Sequence, residues 1–168
     1  NRLPFKYDGL GLLEHRFTQI YRINRDGSQC TQLTSLSRDV SEPVWSPDGQ
    51  LIAFVSQTEE TPERRWISDV FVVRADGSDQ RCLTRSTGPT FNLAWQPSSA
   101  QIAYIGHERR LGPATSSKVW LVDLEGGAPR CITEDFNGVV AGVPSGDCHL
   151  GANPLRPVWQ GRAEAEAA

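Results

Sequence analysis

No methionine occurs among the 168 residues, although there are five tryptophans and six phenylalanines. A complete translated open reading frame begins with Met, so the expectation is an internal piece of a longer chain. No apolar run approaches the ~20 residues that a membrane-spanning helix needs, which gives the expectation of a soluble domain. The opening Asn1-Arg2-Leu3-Pro4 lacks the apolar core of a secretion signal. Positive charge is scarce as well. Lys and Arg total 17 against 20 Asp and Glu, a formal charge of −3, which argues against a grip on nucleic acid built on net charge. Close Cys pairs of the metal-binding kind are missing from Cys30, Cys82, Cys131 and Cys148, and so is any Asn-x-Ser/Thr acceptor. The expectation is reduced, half-buried thiols in a cytoplasmic protein.

What is present is a globular balance, 38% hydrophobic and 22% charged, with 15 Gly and 11 Pro. Those turn formers, with the aromatics, favour many short strands. They also fall in a repeat. Ile20-Tyr21-Arg22-Ile23-Asn24-Arg25-Asp26-Gly27 returns as Val70-Phe71-Val72-Val73-Arg74-Ala75-Asp76-Gly77 and as Val119-Trp120-Leu121-Val122-Asp123-Leu124-Glu125-Gly126, so the turn glycines lie 50 and 49 residues apart. An apolar-Thr pair closes each copy: Leu33-Thr34, Leu83-Thr84, Ile132-Thr133. A second element, Val44-Trp45-Ser46-Pro47-Asp48-Gly49 followed by Leu51-Ile52-Ala53-Phe54-Val55, returns at Ala94-Trp95-Gln96-Pro97-Ser98-Ser99 and Gln101-Ile102-Ala103-Tyr104-Ile105. Its third copy starts at Pro157-Val158-Trp159. The second copy lacks the Asp-Gly of the first, so its turn is expected to be lost.

Each unit reads as four short strands. The first ends at the Trp, and a Pro-Asp-Gly turn follows, in which Pro presets φ and Gly accepts positive φ. The Ile-Ala-Phe and Ile/Val-aromatic runs are the second and third strands, and an Asp-Gly or Gly-Gly hairpin leads to the fourth. A period near 50 with two tight hairpins per unit predicts four-stranded antiparallel sheets in radial array. The expected fold class is therefore all-β, a partial β-propeller in the form of an open arc. Residues 1–159 form the domain. Within it, 20–34 is the outer half of a blade, 42–84 and 91–133 are full blades, and 134–159 is a long loop with the first strand of the next. Residues 160–168 are a low-complexity tail. Propellers close with roughly four to eight blades, so the missing ones are expected elsewhere in a parent chain.

Chemistry is thin. No Gly-x-Ser-x-Gly nucleophile elbow occurs, and Gly142-Val143-Pro144-Ser145-Gly146 has the wrong spacing. Cys148 and His149 are adjacent, so on a strand they would point to opposite faces and suit one metal poorly. Gly126-Gly127 reads as a hairpin, not a phosphate cradle. No catalytic, metal or cofactor residue is expected in this chain. Trp45, Trp95 and Trp159 share one repeat position, as do Tyr21, Phe71 and Trp120, which points to packing between blades. Cys82 and Cys131 also share a position, on outer strands expected to splay too far for a bridge. The long connections, Ser35–Ser41, Gln57–Ser68, Arg85–Thr90, Gly106–Lys118 and Glu134–Arg156, fall on one face of the arc and carry much of the charge. Arg64, Arg65, His107, Glu108, Arg109, Arg110, Asp147 and His149 are the candidate interaction residues there.

The Trp45-Ser46-Pro47-Asp48-Gly49 repeat with Ile52-Ala53-Phe54 resembles the TolB/WD-like repeat. The same repeat builds the non-catalytic propeller of prolyl oligopeptidase-like serine peptidases. Tyr7-Asp8-Gly9-Leu10-Gly11, Trp120-Leu121-Val122-Asp123-Leu124-Glu125-Gly126-Gly127, and Glu134-Asp135-Phe136-Asn137-Gly138 with Ser145-Gly146-Asp147 are similar to the acylaminoacyl-peptidase branch. That resemblance implies a propeller joined to an α/β-hydrolase domain carrying Ser, Asp and His, in which the propeller gates and positions peptide substrates. The expected partners are that hydrolase domain, the remaining blades and a peptide, with no nucleic acid and no membrane. The competing readings are a TolB-like protein-binding propeller with no enzyme attached and a kelch-type interaction propeller.

Overall fold

The computed structural model describes residues 6–7, 11–12, 17–57, 67–112, 115–138, 140 and 157–159. Among them there are strands and turns and no α-helix. Two short hairpins come first, β1 (Lys6–Tyr7) with β2 (Gly11–Leu12) and β3 (Tyr21–Arg22) with β4 (Thr31–Gln32). Two four-stranded antiparallel sheets follow. One is β5 (Val40–Trp45), β6 (Leu51–Ser56), β7 (Asp69–Arg74) and β8 (Arg81–Cys82), each strand beside the next. The other repeats that order with β9 (Thr90–Trp95), β10 (Gln101–Gly106), β11 (Lys118–Asp123) and β12 (Arg130–Cys131). The sheets stack face to face as blades of an open arc, so the partial propeller read from the repeat is what the chain builds.

Alternation explains the stacking, because successive strand residues point to opposite faces. Leu51, Ala53, Val55, Val70, Val72 and Leu83 leave one face of the first full blade and meet Leu93, Trp95, Ile102, Tyr104 and Val122 of the second. Ile52, Phe54, Phe71 and Val73 leave its other face and pack on Ile20 and Leu33 of the half-blade β3–β4. Phe54 and Phe71 stack with centroids 5.4 Å apart, a pair that contributes about 0.5–1.5 kcal/mol beyond its buried area.

The Leu-Thr signature also acquires a cause. The last backbone ladder bonds are Leu33 N to Ile20 O, Leu83 N to Val70 O and Ile132 N to Val119 O. At the next rung a Thr hydroxyl replaces a backbone carbonyl. Thr34, Thr84 and Thr133 Oγ1 accept from the amides of Ile20, Val70 and Val119 at 2.9, 3.0 and 2.9 Å. One residue earlier in each copy, a side chain latches the loop leaving the fourth strand. Gln19 bonds Leu36 at both N and O, Asp69 accepts from Ser86 N at 2.6 Å, and Lys118 donates to the Phe136 carbonyl. Three residue types perform one task.

The turn expected to be lost after β9 is retained. Ser99 N donates to Gln96 O at 2.9 Å, as Gly49 N does to Ser46 O, and Ser99 adopts the same left-handed conformation (φ 60° against 70°). Fixed pairing of β9 with β10 imposes the turn, and the non-glycine residue there is held under strain of ~1–2 kcal/mol.

Blades are joined by indoles. Trp95 Nε1 donates to Val44 O at 3.0 Å, and Trp159 Nε1 donates to Ala94 O at 3.3 Å. Each tryptophan thus caps the carbonyl just ahead of the previous one. Guanidiniums make a second staple on the outer side: Arg22 Nη1 reaches Ala75 O at 2.7 Å, and Arg81 Nη1 reaches Leu124 O at 2.9 Å. Both acceptors lie at one repeat position in the turn after the third strand.

Candidate functional site

The connection from β10 to β11 carries His107, Glu108, Arg109 and Arg110, and it rests on the loop between β8 and β9. The two backbones nearly touch. A Cβ on Gly88 would lie 1.9 Å from the His107 carbonyl oxygen, and one on Gly106 would lie 2.6 Å from Pro89 O. Thr87 Oγ1 adds a bond to Glu108 O at 3.2 Å. Glycine is therefore required at both positions for space, not for positive φ. This contact continues the pairing of β9 with β10, in which Gly106 faces Thr90, and fixes where the charged loop begins.

From that anchor the loop turns sharply. Arg109 sits at φ 57° and its amide donates to His107 Nδ1 at 3.2 Å. The accepting Nδ1 puts the neutral ring's proton on Nε2. Arg110 pairs with Glu108 Oε2 through Nε and Nη2, at 2.9 and 2.8 Å. Such an exposed pair is screened by solvent, adds little stability and mainly shapes the loop. Thr115 Oγ1 accepts from Leu111 N and donates to Gly112 O, closing the turn.

Between this loop and the outer edge of the second blade lies a cleft of about 430 Å³, lined among others by His107, Glu108, Arg110, Lys118, Trp120 and Glu134. Charges of both signs surround an aromatic floor, and Trp120 Nε1 is held by Gly106 O. Such a lining sets charged groups of both signs beside an aromatic surface, the mix a polar ligand with an apolar part can use. A broader groove of about 910 Å³ runs along Cys82, Thr84 and Arg85, facing Gly126 to Pro129 where the blades splay. Cys30, Cys82 and Cys131 are free thiols. Desolvation and then Asp69 push the Cys82 thiol up to about 11, which leaves little thiolate at neutral pH. Among the described residues no three His, Cys, Asp or Glu side chains converge as a metal would need.

Burial and then Arg109 hold His107 below its ordinary 6.5. The folded chain therefore binds fewer protons than the unfolded one just beneath that value, and stability falls as pH drops from 6.5 to the depressed folded pKa, then levels. Denaturation midpoints measured from pH 7.5 to 4.5 are expected to fall more steeply for the wild type than for His107→Asn over that window. Equal slopes would remove the effect.

Of the residues singled out in the sequence, the structure brings His107, Glu108, Arg109 and Arg110 into this one loop. Arg64, Arg65, Asp147 and His149 lie outside the described residues. Sequence reasoning missed Gly88, Lys118 and Trp120. Lys118 and Trp120 could have been found from the repeat, since Gln19 and Asp69 hold the position of Lys118 in the other copies and Trp120 is the largest residue at the aromatic position.

The fold is a TolB-like β-propeller arrangement. A solved structure described as TolB, from Agrobacterium tumefaciens, matches with a TM-score of 0.54 and 24% identity, over 67% of this chain and 40% of that one. In sequence, the chain is 30% identical over 157 residues to the uncharacterized peptidase YuxL of Bacillus subtilis, covering 94% of this chain and 24% of that protein. It is 32% identical over 88 residues to the Tol-Pal system protein TolB of Thioalkalivibrio sulfidiphilus, covering 52% of this chain and 18% of that one. The chain thus spans about a quarter or less of the length of these two relatives. No domain-family profile matches it.

Proposed function

We propose that this chain is the non-catalytic propeller segment of a serine peptidase resembling acylaminoacyl-peptidases, acting as scaffold and substrate gate. The observation that carries this reading is the coverage of a peptidase relative: nearly the whole chain aligns, yet it accounts for only 24% of that protein. A hydrolase domain then supplies the catalytic Ser, Asp and His from another part of the parent. The charged loop from His107 to Arg110 meets that domain or the entering peptide, and the mixed charge around Trp120 suits a peptide backbone with charged ends. Free Cys30, Cys82 and Cys131 fit a reducing, cytoplasmic setting. In domain terms the two full sheets are blades, the 20–34 hairpin is the outer half of an earlier blade, and residues 157–159 begin a later one.

The test is a charge reversal in the intact parent, Arg109→Glu with Arg110→Glu. Turnover of short peptides is expected to drop at least tenfold, chiefly through KM. Unchanged kinetics and unchanged domain association would remove the loop from the function. A TolB-like binding propeller is the second reading, favoured by the TolB matches in sequence and fold. Under it the parent gene holds no downstream Gly-x-Ser-x-Gly segment.

A further inference from the structure

The repeat puts two aromatic pairs at equivalent positions with unequal surroundings. Phe54 and Phe71 of the first full blade correspond to Tyr104 and Trp120 of the second, and each pair stacks with its ring planes 13° apart. Over the Phe71 ring lies the guanidinium of Arg38, 5.8 Å from the centroid. Arg38 belongs to the loop that enters the first full blade, and its repeat equivalent in the next is Gly88. Gly88 has no side chain and no room for one, because an added Cβ would lie 1.9 Å from His107 O. Among the described residues no cation takes the place of Arg38 over Trp120. Phe71 is accordingly buried, whereas Trp120 is only partly so and lines the cleft of about 430 Å³. Arg109, whose Cγ lies beside Gly88, is not part of that lining.

The rest of the lining favours a guest of the same sign as Arg38. Arg110 is engaged by Glu108. Lys118 donates to the Phe136 carbonyl and lies over the Phe136 ring, 5.7 Å from its centroid. Both cations of the cleft therefore have partners. Glu134 makes no hydrogen bond or ion pair with another described residue and acts on Arg110 only at longer range. An electron-rich indole face beside an uncommitted carboxylate is a setting that attracts a guanidinium or an ammonium. The ring is also fixed in advance, since Trp120 Nε1 donates to Gly106 O at 3.2 Å. The cleft lies between one blade and its own loops, not at an end of the arc.

We propose that this cleft is a cation slot. It takes the guanidinium or ammonium of a basic side chain on an incoming peptide, with the charge over Trp120 and beside Glu134. The guest supplies from outside what Arg38 supplies from within the chain one repeat earlier. The slot deepens the reading of this face as a peptide contact and rests on that reading only for the source of the cation.

The test is calorimetric titration of the intact parent with n-butylguanidinium and with n-butylurea, its neutral isostere, neither of which holds a peptide bond to cleave. Butylguanidinium is expected to bind at least tenfold more tightly. Equal affinities, or no heat from the cation at millimolar concentration, overturn the slot. Glu134→Gln, an exposed change that spares the fold by circular dichroism, is expected to weaken the cation at least threefold and to leave butylurea unaltered. Trp120→Phe keeps a ring, as Phe71 does, and is expected to weaken the cation by a similar factor, since indole is the strongest of the aromatic partners. A cation that binds both variants as tightly as the wild type sits elsewhere, which also overturns the slot. The charge reversal at Arg109 and Arg110 answers a separate question. Turnover that falls there while butylguanidinium fails to bind removes the slot and leaves the substrate gate standing, whereas selective cation binding with unaltered turnover upholds the slot and removes the gate.

Discussion

Gly88→Ala is expected to destabilise the chain by ~3 kcal/mol or more, the upper range for overpacking a tight site. The methyl would sit 1.9 Å from His107 O and 2.9 Å from Arg109 Cγ. A carbonyl oxygen cannot swing aside as a side-chain tip can, so the loop carrying His107 must move by more than an ångström. Ser68 N, which donates to Gly88 O, is disturbed with it. The proper control is Gly49→Ala. Gly49 has φ +70°, and a methyl added there would meet nothing within 4 Å, so only the left-handed strain of ~1–2 kcal/mol applies. Urea denaturation of both variants separates crowding from conformation. A Gly88 variant as stable as the Gly49 variant would show that the two loops do not touch.

Trp95→Ala is expected to cost about 3–5 kcal/mol, as large buried aromatics do. The indole is 7% exposed and lies in the cluster that joins the two full blades. Trp95→Phe keeps most of the packing but strips the donor from Val44 O. Its cost should be about 1–3 kcal/mol, the penalty for leaving a buried polar group without its partner. If the two variants were equally stable, volume would matter little and the indole N–H would be the whole interaction. Native-state hydrogen exchange at β5 and β9 locates the loss, because both strands border the affected contact.

Much of the fold could be read in advance, because local and long-range demands agree. Asp76-Gly77 makes its hairpin wherever it is placed: Gly77 adopts φ 89° and the Ser78 hydroxyl and amide hold the Asp76 carboxyl below its usual range. Strand order followed from such turns. What escaped was decided by neighbours instead of by the residues themselves. Trp45 and Trp95 stand in the same local sequence, yet one is half exposed and the other buried, since only one has a blade with an inner strand in front of it. Gln96-Pro97-Ser98-Ser99 lacks the favoured turn residues and turns regardless. Glu42 and Asn92 take positive φ where the inner strands bulge, a feature for which neither residue type is a reliable sign. In the candidate site, charge is what singled out the His107–Arg110 loop. The tightness under it was invisible, because Gly88 ahead of β9 and Gly106 at the end of β10 look like ordinary glycines until the two strands pair and their backbones close up.

Capping a main-chain carbonyl with an indole has an evolutionary corollary. The acceptor belongs to every amino acid alike, so the surface that receives each tryptophan is indifferent to substitution in the older repeat. A gene segment copied in tandem then arrives with its junction already compatible on both sides, and no second, compensating change has to be awaited. Growth or shrinkage of such a protein by whole units is correspondingly easy, whereas the side chains on its rim are left at liberty to diverge.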